Sequence, residues 1–331
     1  MSERVRDRPK VVIPDDTANR YGGNADELAR LRAVADVIIH DTRPSAAELA
    51  ERIADADIVL SFRPAFTRFP AEVLAQCTSL RFICIAGAGV EDVDVEFASS
   101  HGIAVGNVKG SKRALAEHCL ALLFDVARRV SEQDRAIRQG VWQPLQGIEL
   151  GGKTLGVIGL SAIAREFVPL ARAVGMRALS WSRDNSPERA AAVGATAAPL
   201  DQVLGEADVV SLHLRLFPEL HHFLGPERFG RMKPGAILIN TARGELVDDV
   251  ALVEALRSER LRGAGLDVFA QYPLPPDHAL LALPNVVMTP SSAWNTADAS
   301  LRMLRSSIDN VLAFLRGEPA SITNNAALGR I

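Results

Sequence analysis

The chain has 331 residues, enough for two domains of ordinary size, and its composition, 48% hydrophobic and 23% charged, is that of a protein able to bury a sizeable core. A net charge of -3 at pH 7 gives no electrostatic reason to expect a nucleic-acid partner, since phosphate binding rests on clustered Lys and Arg. No apolar run approaches the ~18–20 residues needed to span a bilayer, and the basic stretch from Arg4 to Lys10 precedes no apolar segment of the kind a signal peptide carries.

Short β-branched runs alternate with amphipathic stretches, a pattern that predicts parallel sheets covered by helices. In the first third, Val11–Ile13, Val37–His40, Ile58–Ser61, Phe82–Ile85 and Ile103–Val105 are predicted strands. Ala25–Val34 and Ser45–Ala54 have helical spacing, with Ser45 placed as an N-cap. One long helix is predicted from about Ser111 to Arg138, presenting Ala114, Leu115, His118, Leu122 and Val126 on one face. Its length suits an interdomain or dimer-forming role. A second alternating series supplies Leu155–Gly159, Ala178–Trp181, Val209–Leu212, Ala236–Asn240, Ala264–Asp267 and Val286–Thr289, six strands for a doubly wound sheet. The last helix runs from about Asp298 to Leu315 and stops at Gly317. Cys77, Cys84 and Cys119 lie in apolar surroundings without metal-ligand spacing, which reads as buried free thiols in a reducing, cytoplasmic setting. No metal site is expected.

The segment Gly156-Val157-Ile158-Gly159-Leu160-Ser161-Ala162-Ile163-Ala164 joins an apolar strand to a helix, the context in which a GxGxxG pattern binds a dinucleotide. Only Gly159 of the glycine triplet is present. Ser161 stands where the missing Cβ normally lets backbone reach the pyrophosphate, and its hydroxyl could donate to a phosphate at the helix N-terminus. Ala164 holds the close-packing position. The next strand ends in Ser182-Arg183, where an acidic residue would suit the ribose 2′-hydroxyl of NAD. A hydroxyl and a guanidinium instead suit a 2′-phosphate, so NADP is the expected form of the cofactor. A solvated turn residue is the alternative reading of Arg183, and a shifted turn could bring Asp184 to the ribose.

Ile239-Asn240-Thr241-Ala242-Arg243-Gly244-Glu245-Leu246-Val247-Asp248 places an Arg just past an apolar strand, at the sheet edge where ligands bind in open α/β folds. A guanidinium there suits holding a substrate carboxylate and polarising the adjacent carbonyl. With Gly87-Ala88-Gly89-Val90, Ala116-Glu117-His118, Gly152-Lys153-Thr154-Leu155-Gly156, Ser211-Leu212-His213-Leu214 and Gly263-Ala264-Gly265-Leu266-Asp267-Val268-Phe269, the chain from about residue 37 to residue 316 resembles the D-isomer-specific 2-hydroxyacid dehydrogenases.

The resemblance implies two Rossmann-like domains: residues 109–296 for NAD(P), inserted into a substrate-binding, flavodoxin-like domain of residues 1–108 and 297–331. It also implies a homodimer and a small carboxylate substrate. Cofactor contacts are then expected at Gly159, Ser161, Ala162, Ile163, Ser182, Arg183, His213, Leu214, Thr241, Ala242 and Asp267, the last facing the nicotinamide carboxamide. Substrate contacts are expected at Arg63, Gly87, Ala88, Gly89, Arg243 and Trp294. His213 and His278 match family positions and read as structural; His118 also matches, and is expected to pack, with a place facing the interdomain cleft as the alternative.

The chain departs from the family at the proton-transfer pair. Where the family has Glu before a proline and His after Thr-Pro, this sequence has Tyr272 and Ser291. Arg243, Tyr272 and Ser291 are therefore the candidate catalytic residues. A Ser hydroxyl is too weak an acid for the part. Tyr272 would serve if Arg243 stabilised its phenolate; otherwise it fills the vacated space. Three functions remain open at this point: an NAD(P)-dependent oxidoreductase acting on a 2-hydroxy or 2-keto acid, an enzyme using the nucleotide internally for lyase or elimination chemistry, and a nucleotide sensor.

Overall fold

Every buried β-branched run pairs in parallel with its neighbours, and the chain divides into two units: residues 1–111 with 296–331, and residues 112–295. A computed structural model describes residues 8–62, 67–87, 89–108 and 110–325.

The first unit runs β1 (Lys10–Ile13), α1 (Ala25–Arg32), β2 (Asp36–Ile39), α2 (Ala46–Ile53), β3 (Ile58–Phe62), α3 (Ala71–Leu74), β4 (Phe82–Ala86), α4 (Val95–Ser100) and β5 (Ala104–Asn107). Its sheet has the order β2-β1-β3-β4-β5, all parallel, which is the flavodoxin-like arrangement. The Ser45 side chain accepts from the Glu48 amide while Glu48 reaches back to the Ser45 amide, a full capping box that starts α2 where the sequence places it.

The second unit opens with α5 (Lys112–Arg128) and α6 (Val130–Arg138). The sequence predicts one helix here, and the structure breaks it at Arg129, whose φ of +56° lies in the left-handed region. Two side-chain contacts hold the break: the Ser131 amide donates to Asp125 at 2.7 Å, and Arg129 grips Glu132 with two nitrogens at 2.7 Å. There follow β6 (Thr154–Ile158), α7 (Ala162–Ala173), β7 (Arg177–Trp181), α8 (Pro187–Ala191), β8 (Thr196–Ala197), α9 (Leu200–Glu206), β9 (Val209–Leu212), α10 (Pro226–Arg231), β10 (Ala236–Asn240), α11 (Asp249–Arg257), β11 (Leu261–Leu266) and β12 (Val286–Met288).

The seven strands are ordered β12-β11-β10-β9-β6-β7-β8, again all parallel, so the order reverses between β6 and β9. That switch point opens the crevice at the carboxyl ends of these two strands, where ligands bind in open α/β sheets. Six of the seven strands are predicted from sequence. β8 is missed because two residues paired to Leu179 and Ser180 carry no periodicity.

Back in the first unit, α12 (Ala297–Leu315) closes the fold, stacking Phe314 on Phe82 of β4 with ring centroids 4.4 Å apart. Among the described residues no helix is long and apolar enough to cross a membrane.

Candidate active site at the carboxyl edge of the second unit

Gly159 ends β6 with φ +97°, and a Cβ there would lie 2.8 Å from the His213 carbonyl oxygen at the end of β9. The glycine therefore keeps both its conformation and the close approach of the two strand ends at the switch point. Ser161 follows as the N-cap of α7. Its Oγ accepts from the amides of Ile163 and Ala164, each at 3.2 Å. A hydroxyl that accepts twice still has its own hydrogen to donate. The positive end of the 12-residue α7 helix can thus reach an anion through Ser161, and the loop fits a dinucleotide phosphate despite its two missing glycines. Ala162 is exposed on the first turn beside half-buried Ile163.

At the end of β7, buried Ser182 donates to Asp184 at 2.8 Å. Arg189 of α8 also bonds Asp184 and reaches the Leu160 carbonyl of the phosphate loop at 3.4 Å. Ser182 first and Arg189 next hold the Asp184 carboxyl below the usual range. Arg183 lies over the Phe217 ring at 5.2 Å and within 3.5 Å of Glu219. Sequence reasoning missed Arg189, although it lies only five residues beyond Asp184; its contact with Leu160 spans 29 residues and needs the fold.

His213 is buried, 2.9 Å from Ser211, and burial pushes its pKa down to about 4. It is a neutral packing residue beside Phe167, while Leu214 lies within reach of the space a Gly159 Cβ would take.

Past β10, the Asn240 amide donates to the Arg243 carbonyl at 2.9 Å and Asn240 Oδ1 accepts the Ala242 amide at 3.0 Å. These bonds fold Thr241–Arg243 into a tight turn. One guanidinium nitrogen of Arg243 donates to the Ala242 carbonyl at 2.8 Å. A Cβ on Gly244 would sit 1.9 Å from the Phe269 carbonyl carbon, so the Arg243 turn lies directly against the 267–272 segment.

Asp267 is 3% exposed and its carboxylate organises the loop after β12. Oδ1 accepts from Thr289 Oγ1 at 2.6 Å and the Ser292 amide at 2.8 Å; Oδ2 accepts from the Ala293 amide at 3.0 Å. Ser291 takes φ +53° in that loop, and its carbonyl accepts the Trp294 indole N–H at 2.9 Å. The Tyr272 hydroxyl accepts the Phe269 amide at 3.0 Å and bonds the Ser291 side chain. Burial raises the Tyr272 pKa, as do the charges of Asp267 and Glu245, against the lowering effect of the Phe269 and Ser291 bonds. Of the two readings of Tyr272, the raised pKa favours the one in which it fills the vacated space, since the charges of Asp267 and Glu245 oppose its ionisation.

The structure thus brings Arg243, Asp267, Tyr272, Ser291 and Trp294 onto neighbouring strand ends of one unit. Gly87 and Gly89 are buried after β4 in the other unit. Arg63 and Ala88 lie outside the described residues. The described residues hold no group of three or more His, Cys, Asp or Glu placed to bind a metal.

Residues 120–293 match the family model for the NAD-binding domain of D-isomer specific 2-hydroxyacid dehydrogenases. The chain belongs to that family, whose members are oxidoreductases acting on the CH–OH group of 2-hydroxy acids. It is 35% identical to a glyoxylate reductase of Korarchaeum cryptofilum across 96% of both chains. Among solved structures it superposes on the TT0316 protein of Thermus thermophilus with a TM-score of 0.83 and 38% identity, covering 95% of this chain and 99% of the other. An acyclic imino acid reductase in complex with NADPH and D-Arg gives 0.82 and 27%, over 95% and 99%.

Proposed function

We propose that this protein is an NADP-preferring reductase of a 2-keto acid, with Ser291 and Tyr272 in place of the family's proton-transfer pair. The observation that carries the reading is Arg243, fixed by Asn240 at the carboxyl end of β10 and packed through Gly244 against the Asp267 segment. A guanidinium so held takes a carboxylate in two parallel hydrogen bonds and polarises the neighbouring carbonyl.

A bound nicotinamide supplies the two-electron reduction of that carbonyl. The Ser161 hydroxyl at the start of α7 would hold the pyrophosphate, while Ser182, Arg183 and Arg189 would face the 2′-phosphate. Asp184, neutralised by Arg189, does not oppose it. Asp267 orders the loop carrying Ser291 and Trp294, and the indole walls the substrate. Tyr272 braces that loop rather than giving up a proton, in keeping with its raised pKa. The second unit is read as the nucleotide-binding domain and the first as the substrate domain. A homodimer formed through the second unit is supported by the exposed apolar residues Val130, Ile137, Val141 and Trp142, the last 86% exposed.

Calorimetric titration of NADPH and NADH tests the first half of this reading, and a screen of 2-keto acids by NADPH oxidation tests the second. Arg243→Ala should abolish turnover and leave nucleotide affinity nearly intact. Failure of the wild-type protein to bind either nucleotide would overturn the proposal.

A further inference from the structure

Reducing a carbonyl leaves an electron pair on oxygen that needs a proton, and neither Ser291 nor Tyr272 is an acid of the right strength. We infer that His118 of α5, held by Thr289 and Asp267, is the proton donor of this reaction. The inference rests on the keto-acid reductase reading above and adds to it the residue that the departure from the family leaves missing.

Two adjacent side chains of α5 reach two strand ends. Cys119 Sγ lies 3.1 Å from Thr241 Oγ1, two residues before Arg243, and His118 Nε2 lies 2.9 Å from Thr289 Oγ1, two residues before Ser291. His118 is thus tied to the strand end that leads to Ser291, and its neighbour Cys119 to the strand end that leads to Arg243. Its side chain is 22% exposed, open enough to meet a ligand.

The bridge fixes the tautomer. Thr289 donates its one hydroxyl hydrogen to Asp267 at 2.6 Å, so the same oxygen accepts from His118, which places a hydrogen on Nε2. Asp267 Oδ1 is itself 3.6 Å from Nε2. Nδ1 then points away from this anchor as the exchangeable position, and no described residue bonds it. A bound reduced nicotinamide would supply a hydride, its C–H bond breaking as the hydrogen and electron pair pass to the carbonyl carbon. The N–H bond at Nδ1 breaks, an O–H bond forms on the substrate, and neutral His118 regains a proton from solvent.

Few other charges bear on the ring. On α5, Glu117 pairs with Arg113 at 2.7 Å, and burial pushes the Cys119 thiol up to about 12, so it stays neutral. β10 and β12 carry no charged residue, and Arg262 of β11 donates to the Gln146 carbonyl. Beside α6, Arg129 pairs with Glu132 and Arg138 with Asp134. The α7 charges Arg165, Glu166 and Arg172 form no ion pair with His118, and Asp267 is its one carboxylate partner among the described residues.

The test combines kinetics with nitrogen NMR on the full-length protein loaded with NADPH. Wild type should show the Nε2–H tautomer at His118, assigned by its loss in His118→Gln, and a reduction rate that falls as the imidazolium loses its proton. His118→Gln should lower kcat by roughly 10²–10⁴ and remove that limb, with the NADPH dissociation constant unchanged. Thr289→Val should keep the limb, lower kcat and release the tautomer. A neutral Nδ1–H tautomer in wild type, or a His118→Gln enzyme that keeps its rate and pH limb, overturns the inference alone. A wild-type protein that binds NADPH and reduces no 2-keto acid overturns the functional reading and the inference together.

Discussion

The Tyr272 hydroxyl accepts the Phe269 amide at 3.0 Å, closing the segment between them into a loop. Tyr272→Phe should therefore cost about 1 kcal/mol of stability, the ordinary worth of such a bond, and leave the pH–rate profile in place. Urea denaturation reads the first quantity. A lost alkaline limb in the variant would make Tyr272 the acid and remove the bracing role assigned here.

Ser161 both caps α7 and presents a donor to the nucleotide. Ser161→Ala should cost about 1 kcal/mol in thermal unfolding and weaken NADPH and NADH alike. Ser161→Gly should lose only a few tenths in stability, because glycine is tolerated at caps. If Ser161→Ala binds both nucleotides as tightly as wild type, the hydroxyl is a cap and nothing more.

Coenzyme preference should lie with two arginines. Arg183→Ala and Arg189→Ala are expected to weaken NADPH several-fold each and to leave NADH unaffected, since a 2′-phosphate is the only group that distinguishes the two. Equal losses for both nucleotides would assign Arg189 to the loop through its bond to Leu160 rather than to the phosphate.

His213 links stability to pH. Burial lowers its pKa from 6.5 to about 4, so the unfolded chain binds the proton more readily. The stability that the neutral ring contributes is complete above pH 6.5 and is lost as pH falls through about 4. At roughly 1.4 kcal/mol per pKa unit the loss approaches ~3 kcal/mol. His213→Gln should flatten the melting temperature across this window relative to wild type. A wild-type melting temperature that is already flat there would contradict the burial argument.

Replacing Tyr272 by Glu and Ser291 by His in a His118→Gln background should restore keto-acid reduction. Ser291 lies in the left-handed region, which His adopts more readily than most residues. No recovery in a folded double replacement would mean that more than two positions separate this site from its relatives.

Most of the fold is written in local pattern. Buried parallel strands need continuous apolar runs, and Val209–Leu212 and Ala236–Asn240 supply them with their bounds intact. The break at Arg129 was hidden because both halves keep helical spacing; it depends on Asp125 meeting a partner six residues away and Glu132 one three residues away. The phosphate loop and Arg243 were legible as motifs with a chemical reason. The Thr289 bridge and the use of His118 were not, since they join residues up to 171 positions apart and exist only once β11 and β12 lie side by side; the reach of Arg189 to Leu160 spans 29 positions and likewise needs the folded loop.

Gly244 meets the Phe269 carbonyl with no room for a single methyl group. The turn holding Arg243 and the segment leading to Tyr272 are consequently one mechanical part: a ligand that draws the guanidinium toward itself must drag the neighbouring segment with it. Substrate capture and the setting of the loop behind it then happen in a single movement, so a poor carboxylate would be penalised in turnover as well as in binding.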